Sequence, residues 1–440
     1  MTIRTKRMFR RGALALLSTL FLLTAGCGDV FDIENPGEIL DSDLNDPDLI
    51  PIILTGLSSD VSDFMDTQGF DVSRLTDEMA GSGSYTDTGT FRRGYADQDL
   101  VGPVWEQAHE ARWMAELHIE RIEKLLTPEE FQNSPFVARA YVLEGIAHRS
   151  LGENYCRVVY SEPEGTDYGT LQPKSEAFNR AVTAFENALD HASQAPEFQM
   201  AAHAGLASVY MALEDWSNAV QYAAMVDDDF ELVTFYDDND NDNVVYVETY
   251  QRPEMSAYQT FAGSFDPPDP RAPFNKCNET GTCRNEIGAD GETFHWRQDK
   301  YVDYGTDIPT LTGKESRLIE AEVALRNGDL AEFTAQINRV RALYDLPAID
   351  VPATAGSLEY PNAYDDAWSI LDAERYLTLW LEGRRLWDLH RWDHPFLDGG
   401  EVVWPSDPQR DSCMPVPANE CRYNPNFTCE EATVGQAPGH

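Results

Sequence analysis

The residues whose types and spacing could do chemistry begin in the run YDDNDNDNVVYVE. Asp237, Asn239, Asn241 and Glu248 there occupy positions one, three, five and twelve of an EF-hand-like calcium loop. Position six, where the sharp turn requires glycine, is Asp242, and the Val244-Val245 pair that follows reads as the start of a strand. The set is therefore a calcium candidate set against a solvated acidic loop. His390 and His394 are four apart, a spacing that puts two ligands on one helix face, but Pro395 ends that helix and no HExxH accompanies them. Cys413, Cys421 and Cys429 recur at intervals of eight without a CxxC pair, so they do not read as a zinc site either. With 76 Asp and Glu residues, a glycosidase-like carboxylate pair could be picked at will, so abundance nominates no catalytic residue. Neither a GxSxG elbow nor a phosphate-binding Walker loop is present, and no cofactor is expected.

Aromatic residues in polar, turn-rich stretches are more informative. Tyr85, Phe91, Tyr95, Trp296, Tyr301, Tyr304 and Trp404 sit where no core role is dictated. Rings beside Asp, Asn and Arg suit sugars, whose C–H faces stack while their hydroxyls hydrogen-bond. Tyr85, Phe91, Trp296, Tyr301 and Tyr304 are the expected ligand-binding residues.

The chain opens with MTIRTKRMFRR, continues with the apolar run ALALLSTLFLL and breaks at TAGC. That is a secretory signal, too short for a permanent spanning helix. Its end resembles the bacterial lipobox, which is cut before a cysteine that is then acylated. The resemblance makes residues 1–26 the signal and Cys27 the lipid anchor; Thr24 departs from the branched aliphatic residue usual there. No later segment reads as membrane-spanning, so attachment is expected through lipid alone. Removing five basic residues with the signal takes the formal charge from −43 to −48, which excludes nucleic acid and anionic membrane surfaces as partners. Six cysteines remain, an even number that in an exported protein predicts disulfides. The short loop CNETGTC favours Cys277 with Cys283, and the other pairings stay open.

The elements that must position these residues are mostly helical. ARAYVLEGIAHRSLGENY, AAHAGLASVYMALEDW and SRLIEAEVALRNGDL each lead into another alanine-rich amphipathic stretch. Small residues at helical spacing let paired helices approach, as in tetratricopeptide stacks; an ordinary bundle would leave a similar pattern. A helical scaffold is expected roughly over 100–235 and 311–395. Residues 236–310 are a loop-rich region in which VVYVETY reads as a strand. The segment from Ala373 to Trp392 carries two apolar stripes, which predicts one largely buried helix. Its charges must then be paired, and Glu382 with Arg385 and Arg384 with Asp388 have helical spacing.

That segment, ERYLTLWLEGRRLWDLHRW, also resembles the signature of the RagB/SusD family of outer-membrane lipoproteins. Further pieces occur in the family's order: Cys27, RAYVLEGIAHRSLG, DPR at 269–271, KY at 300–301, RLIEAEVALRNGDLAEFTAQINRVRA and MPVPANECRYNPN. The cysteine-bearing tail FTCEEATVGQAPGH departs from the family pattern. The resemblance implies a SusD-like domain over 27–440, a tetratricopeptide-like scaffold with a variable ligand-binding half. It implies a non-enzymatic lipoprotein, anchored in the outer membrane and exposed at the surface, that captures glycan, oligosaccharide or peptide. The nutrient would then pass to a TonB-dependent, SusC-like β-barrel transporter, with loops 80–100 and 265–305 enclosing it. A secreted glycan hydrolase or lyase and a tetratricopeptide adaptor of outer-membrane assembly are the competing readings.

Overall fold

The computed structural model describes residues 41, 43–162, 168–239, 241–399, 409–433 and 435. Cys27 and its signal, with Trp404, lie outside the described residues. The chain divides into Met1–Asp46 and Pro47–His440. Of the first unit the described part is little more than the turn Asp43–Asn45. The described α-helices belong to the second unit.

That unit is built on helices α1 (Ile50–Leu75), α2 (Gly102–Leu125), α3 (Pro135–Asn154), α4 (Ser175–His191), α5 (Pro196–Ala212) and α6 (Trp216–Ala223). After the loop-rich region come α7 (Gly313–Arg326), α8 (Leu330–Ala342), α9 (Ala367–Thr378) and α10 (Arg385–Trp392). Successive helices from α1 to α6 pack mainly on their neighbours in sequence, α7 pairs with α8, and α7 also meets α6 and α9. The fold is mostly α and tetratricopeptide-like. Strands are short: among the described residues there are four two-stranded antiparallel ribbons. They pair β1 (Ala80–Gly81) with β5 (Met255–Ser256), β2 (Arg157–Val158) with β3 (Gln172–Pro173), β4 (Glu231–Thr234) with β8 (Ile308–Thr312) and β6 (Phe274–Lys276) with β7 (Trp296–Gln298).

Small residues set the helix spacing. Phe178 and Phe185, seven apart on α4, insert into notches where the facing helices carry glycine. A Cβ on Gly145 of α3 would fall 2.6 Å from the Phe185 ring, and one on Gly152 2.6 Å from the Phe178 ring. A Cβ on Gly205 of α5 would also collide with the Phe185 ring. Polar caps start several helices: Asp215, Thr312, Asp329 and Asp366 each accept the backbone N–H three residues on. Disulfides join Cys156 to Cys413, Cys277 to Cys283 and Cys421 to Cys429. The first ties the end of α3 to the C-terminal segment.

Two sequence expectations are corrected. VVYVETY forms a helical turn, Val244–Tyr246 continuing into a π turn, Val247–Gln251. The Asn243 side chain caps it by accepting the Tyr246 N–H at 2.9 Å, and Asp66 accepts the Val244 N–H at 2.8 Å. The stretch from Ala373 to Trp392 is two helices, not one. Between α9 and α10 the chain turns through Leu381 and Gly383, both at positive φ (62° and 69°). Glu78 and Gln68 hold the break, Glu78 accepting the Leu381 N–H at 2.8 Å and Gln68 donating to the Gly383 carbonyl at 2.8 Å.

Burial of this segment is as expected, but Arg384 and Arg385 pair with residues on other elements, and only Asp388 with Arg391 pairs at helical spacing. Arg384 reaches Glu153 at 2.9 Å and Glu315 at 2.7 Å. Arg385 grips Asp77 at 2.7 Å and Asp372 at 2.5 Å. Asp388 takes Arg375 and Arg391, each at 2.8 Å, and Arg391 also meets Glu322 at 2.6 Å. Of the residues expected to pair locally, Glu382 instead meets Lys300 at 2.7 Å. The break turns Arg384 and Arg385 away from the helical i,i+3 and i,i+4 partners and toward other elements.

Removing one member of such a buried pair leaves the others charged and dry. Arg385→Ala should cost about 3–5 kcal/mol, read as a lower urea midpoint, because Asp77 and Asp372 lose their shared cation. Glu78 gives a pH signature. Burial lifts its carboxyl from 4.5 to about 8. The folded state therefore holds a proton between those values that the unfolded state has released, so the contribution present below 4.5 is lost as pH rises through about 8. Glu78→Gln should match the parent near pH 5 and exceed it near pH 9 by on the order of 3 kcal/mol in urea unfolding.

Candidate functional site

One cleft brings loop aromatics together. It has a volume of about 420 Å³, and its walls come from the segment around Gln259–Ser264, Trp296 of β7 and Tyr360–Asn362 before α9. Its floor is the charged break just described, with Asp77, Asp372, Tyr376 and Arg385 all lining it.

Each wall is fixed from behind. Trp296 stacks on Phe274 at 5.5 Å with the rings 7° apart, and Tyr258 meets it edge-on at 5.1 Å. Its indole N–H donates to Asn278 at 2.9 Å, while Lys276 lies 4.9 Å from its ring. Phe261 packs edge-on to Tyr376 at 5.2 Å, and Tyr360 to Phe396 at 5.1 Å. Pre-packed rings lose little freedom when a ligand stacks on them.

The floor is saturated. Asp372 accepts from Arg385 and Asn362 and lies 3.3 Å from His394 Nε2. Burial alone would raise its carboxyl, but Arg385 and His394 outweigh that and hold it well below the usual carboxylate range. Asp77 is clamped by two nitrogens of the same guanidinium, and the Tyr376 hydroxyl donates to the Asp77 and Glu78 carbonyls. Both carboxylates are thus committed to the Arg385 guanidinium. By contrast, the Gln259 amide has no hydrogen-bond partner among the described residues, and its backbone is held at a φ of 63°. The site thus offers ring faces, an uncommitted amide and a rigid polar base, which suits binding.

Of the five aromatics expected from sequence, Trp296 alone lines this cleft. Phe91 is fully buried, with the Arg74 guanidinium 5.0 Å from its ring centre. Tyr301 is likewise core, its hydroxyl donating to the Leu381 carbonyl at 3.3 Å. Both expectations fail because these rings face inward from loops that are themselves packed on the scaffold. Tyr85 and Tyr304 are exposed elsewhere. The Tyr85 hydroxyl donates to Glu248 at 3.0 Å, and Tyr304 packs edge-on to Tyr246 at 5.0 Å. Tyr95 is half-buried. Phe261, Tyr360, Gln259 and Asn362 were missed. YQTFAG and EYPNAY have the same polar, turn-rich texture as the stretches singled out, so the signal existed but did not rank them.

The calcium set does not assemble. Asp237 and Asn241 close a turn on each other, and Asn239 donates its N–H to the Asp237 carboxylate at 2.7 Å. Glu248 is drawn away to Tyr85 and to Arg252 at 3.1 Å. His390 and His394 also diverge, His390 toward Lys174 and Ser412, and His394 toward Asp372.

Comparison with known proteins begins with the SusD family, whose profile matches residues 282–437. That span holds Lys300, Tyr301 and the whole charged break. Over that span, about a third of its length, the chain matches the RagB/SusD family. Solved structures agree on the fold. It is similar to a SusD-like protein from Bacteroides fragilis at 15% identity and a TM-score of 0.64, over 88% of this chain and 97% of that one. It is similar to a SusD/RagB family protein from Bacteroides thetaiotaomicron at 12% identity and 0.64, over 88% and 96%. A SusD-like carbohydrate-binding protein from Bacteroides fragilis aligns at 17% identity and 0.64, over 87% and 99%. No curated protein matches the sequence. Among the described residues no helix is long and apolar enough to cross a membrane.

Proposed function

We propose that this protein is a nutrient-binding lipoprotein that captures a glycan or oligosaccharide in the cleft between Phe261, Trp296 and Tyr360. The observation that carries the reading is that cleft: stacked rings on rigid supports above a polar floor whose charges are already paired. A sugar would lay its C–H face on Trp296 or Tyr360 and hydrogen-bond to Gln259 and the loop backbone. Likeness to a structure described as a SusD-like carbohydrate-binding protein adds support.

The commitment of Asp77 and Asp372 to Arg385 favours a binding protein over a hydrolase, which would need one carboxyl protonated and another free. Acylation at Cys27 would anchor the chain in the outer membrane at the cell surface, where the bound nutrient passes to a TonB-dependent, SusC-like barrel. The aromatic cleft disfavours the adaptor reading, since a scaffold that binds only protein has no use for it.

Titration calorimetry of the mature chain against oligosaccharides, polysaccharides and peptides tests the ligand class. A binding glycan should lose at least about tenfold in affinity with Trp296→Ala or Tyr360→Ala, with far-UV circular dichroism unchanged. Binding untouched by both substitutions, or release of reducing ends, contradicts the proposal. Recovery of a barrel in near-equal amount from cross-linked outer membranes tests the partner separately.

A further inference from the structure

Away from the cleft, α2, α3 and α4 border a second cavity of about 260 Å³, lined among others by Glu116, Glu144, His148, Glu176 and Arg180. Glu144 and His148 are four apart on α3 and so share a face, and Glu116 reaches them from α2. One donor atom from each of the three lies within 4.8 Å of the other two.

The distances suit an ion better than they suit hydrogen bonds. His148 Nε2 is 3.5 Å from Glu144 Oε1 and 4.0 Å from Glu116 Oε1. Charge-assisted hydrogen bonds would close to about 2.7–2.9 Å. Donors about 2.0–2.1 Å from one tetrahedral metal ion stand about 3.4 Å apart. Glu144 already meets that edge, and Glu116, whose side chain is 35% exposed, can close the remainder by a small rotation.

The surroundings give the imidazole a partner on its far side. His148 is buried, and its Nδ1 lies 3.1 Å from the Tyr160 hydroxyl. With Nδ1–H donated to that oxygen, the Nε2 lone pair faces the two carboxylates, as in histidines that ligate metals. The Tyr160 ring is held by the guanidinium groups of Arg180 at 4.0 Å and Arg112 at 5.4 Å. Those cations also hold carboxylates, Arg112 at Glu116 Oε2 (3.3 Å) and Arg180 at Glu176 (2.9 Å). Glu116 Oε1, the oxygen that faces His148, lies farther from Arg112 at 3.5 Å.

We propose that His148, Glu144 and Glu116 form a divalent transition-metal site that staples α2 to α3. Zinc is the ion this set of one imidazole and two carboxylates takes, with the fourth position left to solvent.

The test uses the mature protein after chelator treatment, titrated with zinc chloride. One zinc per chain is expected by elemental analysis, with the melting temperature rising about 3 °C at about 100 times Kd. The Glu116→Gln/Glu144→Gln double variant should lose both effects, while the exposed single variant Glu116→Gln should stay folded and bind at least about tenfold more weakly. Zinc-edge anomalous scattering from the unaltered protein should place the ion beside His148. No binding, a stabilisation that survives the double variant, or an anomalous peak only elsewhere overturns the proposal.

Discussion

The rest of the structure depends on the pairing of Arg384 and Arg385 with carboxylates that arrive from distant parts of the chain. Glu153 comes from α3, Glu315 from α7, Asp77 from the end of α1 and Asp372 from α9. Such pairs return little net stability over a well-packed apolar core, because both ions must be stripped of water. What they impose is a register. A displaced helix would leave a charge buried without its partner, and that penalty is far larger than the loss of one apolar contact.

The same segment organises the loop-rich region. Arg271 pairs with Asp269 and Glu374, and Lys300 with Glu382 and the Trp380 carbonyl. The DPR and KY motifs are therefore locks that fasten long loops to the scaffold. Trp296, held by Phe274, Tyr258 and Asn278, lies four residues before Lys300 on the same docked segment. The cleft floor is literally the outer surface of the network, since Arg385, Asp77 and Asp372 belong to both. Rigid loops and a paired base are two consequences of one arrangement.

The helices were legible because alanine and glycine periodicity states directly how closely two helices can approach, and Gly145 and Gly152 meet α4 rings as that pattern implies. The buried charges at Arg384 and Arg385 were legible as a need for partners. Their identities were not, since a break at Leu381 and Gly383 redirects both side chains to residues far away in sequence. The site was less legible still. Trp296 was found, but Phe91 and Tyr301 occur in similarly polar stretches and turn inward. Local composition does not encode which side of a packed loop meets solvent. The misread VVYVETY has the same origin, β-branched residues overridden by the Asn243 cap and by Asp66.

The most direct measurement is hydrogen exchange on the mature protein, alone and with a glycan that it binds. Amides of α9, α10 and the break between them should exchange slowly in both states, and added protection should fall on residues 257–265 and 358–364. Fast exchange through 374–392, or ligand protection confined to other surfaces, would contradict a rigid charged base beneath the binding cleft.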